Sequence, residues 1–405
     1  MGASSCPGSG VSEEACGLEL ADIFRAHGEI YRRQHRLSRP QLRAMGAIEI
    51  CRTAVLGGHV YECEACGAQK TGYNSCRNRH CPKCQALDKA RWLEERGREL
   101  LPVPYFHVVF TLPEDLNALT LANPRQIYNL LFESASQALL QLAAEKKHLG
   151  AQIGFFAALH TWGQTLQLHP HLHCIVPGGG LSPDRKRWIA SRPDFFLPVR
   201  VLGSLFRGKF LAGLKEAYEA GQLTLPESLP DRAAFQALLD ELYAKSWVVY
   251  SEPPFDGPEK AVDYLARYVY RVAISNSRLV RMDSNEVTFT YKDYRQDSEV
   301  KEMSLPAEEF IRRFLLHVLP ERFVRVRYYG FLSPRRRERD LALCRELLGA
   351  ASAPAAEKEE SWSALLLRLT GQDPTVCEAC GEGTLRWVRE LSAAVSRVAP
   401  GRSSP

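Results

Sequence analysis

Between residues 105 and 272 the chain alternates strand-like and helix-like segments in one order, and that order restricts the fold more than any other feature. "YFHVVFTL" (105–112) predicts a strand, and 124–147, which opens on Pro124, repeats apolar residues at helical spacing. "IGFFAALHTW" (153–162) and "HLHCIVPGGG" (171–180) predict two more strands. Helical patterns at 203–220 and 231–244 lead to a strand at 247–254 and a helix at 258–272. The order β-α-β-β-α-β is the split βαβ, or ferredoxin-like, arrangement. Its sheet is antiparallel and leaves one face available for a site. The expected fold class is therefore α+β, with this sheet following an N-terminal helical and zinc-ribbon module.

The third strand carries His171-Leu172-His173. Side chains alternate along a strand, so the two imidazoles share a face while Leu172 and Cys174 point into the core. Two neutral imidazoles on one face make a divalent-metal site with room for substrate oxygens. His160, His169 and Gln164 lie on the same or the neighbouring strand, and the third ligand is open among them, with Gln164 preferred. Tyr264 and Tyr268 stand four apart on a predicted helix and share a face. Taken alone, that pair reads better as two buried rings of an amphipathic helix. Beside a metal site, their hydroxyls are the equipment for cutting a nucleic-acid strand and holding its end covalently. Arg267 and Arg271 on the same helix could hold phosphates.

The N-terminal region is dense in cysteine. "CEAC" (Cys63, Cys66) is followed fourteen residues later by "CPKC" (Cys81, Cys84), a spacing that predicts tetrahedral Zn²⁺ ligation by four thiolates. Gly67 suits the positive-φ turn of such a knuckle. Cys76 and His80 lie inside the stretch, so a Cys₃His variant stays open. Arg77 and Arg79 beside it suggest DNA contact. Cys377/Cys380 form a lone pair, half a site, with Cys344 one candidate for a third ligand.

Composition adds limits. The formal charge of +5 is only mildly basic. Residues 312–340 nevertheless carry nine arginines against Glu321, Glu338 and Asp340. The interleaved Phe323, Tyr328, Tyr329 and Phe331 suggest a surface that tracks a nucleic-acid backbone and stacks bases. The opening "MGASSCPGSG" lacks the charged and apolar regions of a signal peptide, and no apolar run is long enough to span a bilayer. The expectation is a soluble protein of a reducing compartment, whose cysteines hold metal rather than form disulfides.

"HPHLHCIVPGGG", "AVDYLARYVYRVAISNSRL" and "YNSCRNRHCPKCQ", in that chain's expected arrangement, resemble the two-tyrosine HUH transposases of the insertion-sequence ninety-one family, HUH standing for His-hydrophobic-His. The resemblance covers roughly residues 20–345. It implies rolling-circle transposition of single-stranded DNA, with His171 and His173 as ligands of Mg²⁺ or Mn²⁺ and Tyr264 and Tyr268 as nucleophiles. It maps Cys63, Cys66, Cys81 and Cys84 to an N-terminal zinc-binding module. Partners would be single-stranded DNA at element ends and target, with host replication machinery drawn in by the 3′-OH.

The expected organisation is a disordered 1–17, a helical and zinc-binding DNA-contact module over 18–98, the nuclease domain over 99–278, its basic extension over 279–349, and a linker and tail over 350–405. Competing readings are a plasmid replication initiator or relaxase, a non-catalytic zinc-ribbon DNA-binding protein, and a metal hydrolase using water.

Overall fold

The computed structural model describes residues 17–252, 255, 260, 272–294, 296–351 and 361–394. The chain divides into two compact units. The first draws on Met1–Ala90, Val272–Val318 and Ala355–Ser403, the second on Arg91–Arg271 and Leu319–Pro354.

In chain order, helix α1 (Leu20–Gln34) buries Leu20, Ile23, Phe24 and Tyr31 along one stripe. Helix α2 (Arg39–Glu49) starts at Ser38, whose backbone N–H donates to Gln41 Oε1 at 3.0 Å, with Pro40 in the first turn. The hairpin β1 (Gly58–Cys63) and β2 (Gln69–Tyr73) follows, then helix α3 (Gln85–Gly97).

Strand β3 (Tyr105–Thr111), helices α4 (Asn117–Ala122) and α5 (Pro124–Ala144), and strands β4 (Gly154–Trp162) and β5 (Leu168–Pro177) come next. A small hairpin, β6 (Gly179–Leu181) with β7 (Trp188–Ala190), precedes helices α6 (Val199–Glu219) and α7 (Arg232–Ala244) and strand β8 (Val249–Glu252). Residues 261–271, with Tyr264, Tyr268, Arg267 and Arg271, lie outside the described residues. The later elements are β9 (Leu279–Met282), β10 (Glu286–Asp293), β11 (Glu299–Pro306), α8 (Ala307–Leu315), β12 (Val326–Gly330), α9 (Arg337–Leu347), α10 (Trp362–Thr370) and β13 (Leu385–Leu391).

The sheet of the second unit has the order β12-β4-β5-β3-β8, antiparallel throughout. Without β12, this is the ferredoxin-like order that the sequence pattern predicts, and the fold is α+β. Val108, Phe110, Leu172, Cys174, Phe155 and Leu159 point to one face and pack with Leu131, Leu139, Phe206 and Phe210 from α5 and α6. Leu172 and Cys174 are fully buried there, as alternation requires. The opposite face carries Tyr105, Phe156, Ala158 and Ile175, covered in part by Trp92, Phe331 and Leu341. The histidines lie on this second face.

Residues 279–318 do not extend the catalytic domain as the sequence suggested; they group with the N-terminal helices in the first unit. The cause is apolar: α8 turns Phe310, Ile311, Phe314 and Leu315 inward, and Phe314 meets Phe24 of α1 edge to face at 5.4 Å. Gln41 Nε2 also donates to Leu315 O at 3.1 Å. Ser284-Asn285 form the turn of the β9/β10 hairpin, closed by Asp283 N–H to Glu286 O.

The arginine-rich stretch 312–340 also needs correcting as a base-stacking surface. Phe323 and Phe331 are buried, and Tyr329 stacks on Phe155 at 5.1 Å. Tyr328 lies under Arg96 and Arg337. Arg312 and Arg313 pair with Glu309, and Arg337 with Glu99. These rings serve packing rather than an open platform. Among the described residues no helix is long and apolar enough to cross a membrane.

Candidate active site and cysteine clusters

Strand register assembles the histidines. His160 on β4 stands directly opposite His171 on β5, and Ala158 opposite His173. Opposed residues of an antiparallel pair share a face. His160, His171 and His173 therefore converge, each offering a ring nitrogen within 4.8 Å of the others. His160 and His173 are buried, while His171 is half-buried at the open side. His160 also stacks on Trp162, with centroids 4.7 Å apart. Of the candidates for a third ligand, His160 is in this cluster and His169 is not. Gln164 lies in the turn joining β4 to β5, which Gly163 closes by donating to Gln167 O. Burial draws the pKa of His169 down.

The hydrogen bonds around the cluster assign its protons. His171 Nδ1 lies 2.6 Å from His169 O. A carbonyl only accepts, so Nδ1 carries the hydrogen and Nε2 keeps its lone pair for a metal. His173 Nδ1 lies 2.8 Å from His107 Nε2, and His107 Nδ1 lies 2.9 Å from Glu252 Oε2. The carboxylate accepts from His107 Nδ1–H. A His107 that carries one proton, on Nδ1, accepts at Nε2 from His173 Nδ1–H. That chain leaves Nε2 as the ligand nitrogen of His173. The two ring planes are parallel to within 8°, with centroids 5.0 Å apart. His107 pairs with Glu252 across β3 and β8, so both point to the site face. Three neutral imidazoles with two of their Nδ1 atoms anchored fit a divalent cation.

Sequence reasoning missed His107 and Glu252. His107 needed the β3/β5 register, which sets it on the same face as His173. Glu252 needed the β3/β8 register, which joins residues far apart in sequence.

The cysteines form two clusters, not the expected Cys63/Cys66/Cys81/Cys84 set. Cys81 and Cys84 gather with Cys51 and Cys76, and Cys63 and Cys66 with Cys377 and Cys380, each group with its Sγ atoms within 4.8 Å. In the first, Cys84 Sγ lies 3.4 Å from Cys51 Sγ and 3.5 Å from Cys76 Sγ. Cys51 follows α2 and Cys84 precedes α3, so two helix ends and the intervening loop bring these thiols together. A Zn–S bond of about 2.3 Å sets tetrahedral S–S edges near ~3.8 Å, and four thiols at this spacing fit zinc. Hydrogen bonds from Cys76 and Cys81 hold the Cys51 thiol down at about 7. In the second cluster the amides of Glu382 and Gly383 hold Cys380 down at about 6. His80 is in neither cluster. Cys344 is buried against the sheet core, far from a ligand role. Arg77 is exposed in the loop before Cys81, at positive φ, and burial lowers the pKa of Arg79.

Comparison with known proteins places these features. A family model described as "Transposase zinc-binding domain" matches residues 23–112, and one described as "Putative transposase" matches residues 154–340. The chain is 53% identical over 376 residues to "Putative transposase y4qJ" of Sinorhizobium fredii (strain NBRC 101917 / NGR234), covering 91% of this chain and 94% of the relative. It is 29% identical over 350 residues to "Transposase for insertion sequence element IS801" of Pseudomonas savastanoi pv. phaseolicola, covering 82% of this chain and 79% of the relative. Among solved structures, the metal-bound conjugative relaxase TrwC in complex with oriT DNA aligns with 40% of this chain and 70% of its own, at 15% identity and a TM-score of 0.23.

Proposed function

Because this chain belongs to the insertion-sequence ninety-one family of transposases, we propose that it transposes DNA by nicking and rejoining single strands through tyrosine-linked ends. The observation that carries this reading is the cluster of His160, His171 and His173 on one sheet face, with two of its rings held in the ligand tautomer. These three residues would hold Mg²⁺ or Mn²⁺. When bound, such an ion supplies positive charge at a non-bridging phosphate oxygen and favours in-line attack.

Tyr264 and Tyr268 are the proposed nucleophiles. A tyrosine hydroxyl titrates near ~10, so it must shed its proton as it attacks. The Oη–P bond forms, the P–O3′ bond breaks, and O3′ takes up a proton. The products are a 5′-phosphotyrosine and a 3′-OH. One phosphodiester replaces another, so rejoining needs no ATP. A second tyrosine lets the protein hold one end while it attacks another strand, and the 3′-OH can prime host synthesis. Arg267 and Arg271 are proposed to hold the backbone near the tyrosines. His107 and Glu252 keep His173 in its ligand tautomer. Cys51, Cys76, Cys81 and Cys84 would hold a structural zinc in the N-terminal module, with Arg77 and Arg79 reaching DNA. The partners in this scheme are single-stranded DNA at element ends and target, and the place of action is the bacterial nucleoid.

Covalent capture tests this reading. The protein is incubated with Mn²⁺ and a labelled single-stranded oligonucleotide carrying the element's end, and resolved on a denaturing gel. A slow protein–DNA band is expected that disappears without metal, in His171→Ala and in the Tyr264→Phe/Tyr268→Phe double variant. Binding without any adduct, or cleavage unaffected by both tyrosine changes, would overturn the phosphotyrosine scheme in favour of simple binding or hydrolysis by water.

A further inference from the structure

The transposase zinc-binding family model ends at residue 112, yet half of the second thiol cluster comes from beyond residue 370. We propose that Cys63, Cys66, Cys377 and Cys380 form a second tetrathiolate zinc site, a ribbon built from the two distant ends of the chain. This inference stands apart from the strand-transfer chemistry.

The two halves are alike in sequence and conformation. Both read Cys-Glu-Ala-Cys-Gly, at 63–67 and 377–381. Gly67 has φ +73° and Gly381 φ +75°, the left-handed turn that glycine adopts at least cost. Gly67 N–H donates to Cys63 O at 3.0 Å, and Gly381 N–H to Cys377 O at 2.8 Å. Each pentapeptide thus presents its two thiols from one tight knuckle. The Cys81/Cys84 pair, followed by Gln85, lacks this glycine.

The knuckles face each other. Cys63 Sγ lies 3.7 Å from Cys380 Sγ, and Cys66 Sγ 3.8 Å from Cys377 Sγ. These match the ~3.8 Å edge of a zinc–thiolate tetrahedron and are far from the ~2.05 Å of a disulfide. Glu64 N–H donates to Thr384 O at 3.1 Å, a direct link between the two segments. Gly383 N–H donates to Cys380 Sγ at 3.3 Å. A methyl group at 383 would collide with Cys63 Sγ, so the close approach demands glycine there too.

The surrounding charges repeat the exchange. Lys70, on the strand after the first knuckle, pairs with Glu378 of the second. Arg386, on the strand after the second knuckle, pairs with Glu64 of the first. Strand β13 pairs along β1 from Cys63↔Leu385 to Gly58↔Leu391, giving the sheet β13-β1-β2. This small sheet has little core of its own, since β13 is exposed along most of its length. A metal supplies the closure that apolar burial does not.

Zinc is measured per mole of the full-length chain after loading with excess zinc and removal of loose metal. With the histidine cluster removed by His160→Ala/His171→Ala, two zincs are expected, and one when Cys377→Ser/Cys380→Ser is added. Native labelling of the wild type with a thiol alkylator, mapped by peptide mass, gives an answer that does not depend on how the variant folds. Cys377 and Cys380 should be protected together with Cys63 and Cys66, and all four should label after chelation. A single zinc in the His160→Ala/His171→Ala chain, immediate labelling of Cys377 and Cys380 at full zinc content, or disulfides joining the two knuckles would each overturn the assignment.

Discussion

His107 Nε2 lies 2.8 Å from His173 Nδ1, and Glu252 Oε2 lies 2.9 Å from the other nitrogen of His107. Two strands that flank β5 on one side thus fix the tautomer of a proposed ligand on β5. Residues that anchor a ligand in this way typically contribute 10–100-fold in metal affinity. His107→Ala is therefore expected to weaken Mn²⁺ binding by about 10-fold or more, measured by calorimetry. Glu252→Gln keeps an oxygen acceptor for His107 Nδ1–H and should weaken it less than Glu252→Ala. Equal losses in the two Glu252 variants would show that acceptance at this position does not orient the relay.

The register of β4 against β5 makes a second prediction. His160→Ala should lower Mn²⁺ affinity and adduct formation sharply, because a nitrogen of the cluster is lost. Gln164→Ala, in the β4–β5 turn, should leave affinity within about twofold. The reverse outcome would make Gln164 the ligand.

Zinc retention should depend on pH with a definite sign. Only the thiolate binds zinc, so protons compete directly with the metal at both cysteine clusters and affinity falls as pH falls. Zinc release, followed with a colorimetric chelator, is expected to rise as pH drops from about 8 to about 5, together with a lower melting temperature.

Gly383→Ala isolates the ribbon. The added methyl meets Cys63 Sγ and Ala65. Loss of about one zinc per chain is expected, with metal binding at the histidines unchanged. Gly163→Ala, where the methyl meets nothing within 4 Å, serves as the control and should keep full zinc content.

Leu172 is fully buried between two histidines that face the other way. Leu172→Ala leaves a cavity beneath the site strand and should destabilise the second unit by about 2–5 kcal/mol. Chemical denaturation followed by near-ultraviolet circular dichroism would measure it. A loss under about 1 kcal/mol would mean that the α5/α6 layer closes over the gap.

Local pattern made much of this protein legible. Period-2 and period-3.6 runs gave the strand and helix order, because alternation is a property of neighbouring residues. The His-Leu-His parity and the knuckle glycine at 67 are local in the same sense. What depended on pairing between remote segments was not legible. The third imidazole, His160, follows from β4/β5 register, and His107 and Glu252 from β3 and β8 lying beside β5. Cys63 and Cys66 were assigned to Cys81 and Cys84 because those are nearest in sequence. Sequence distance, however, is a poor guide once loop closure adds only a slowly growing entropy with length.

The sequence by itself determined the α+β class, the split βαβ order, the family and the residue types of each site. Tertiary structure decided which thiol faces which, which face of the arginine-rich stretch is buried, and how 272–318 and the C-terminal strand return to the N-terminal module. The physical reason is that residue type and periodicity set what a segment can bury or bind. Strand register and long-range apolar burial, such as Phe24 against Phe314, set what it meets.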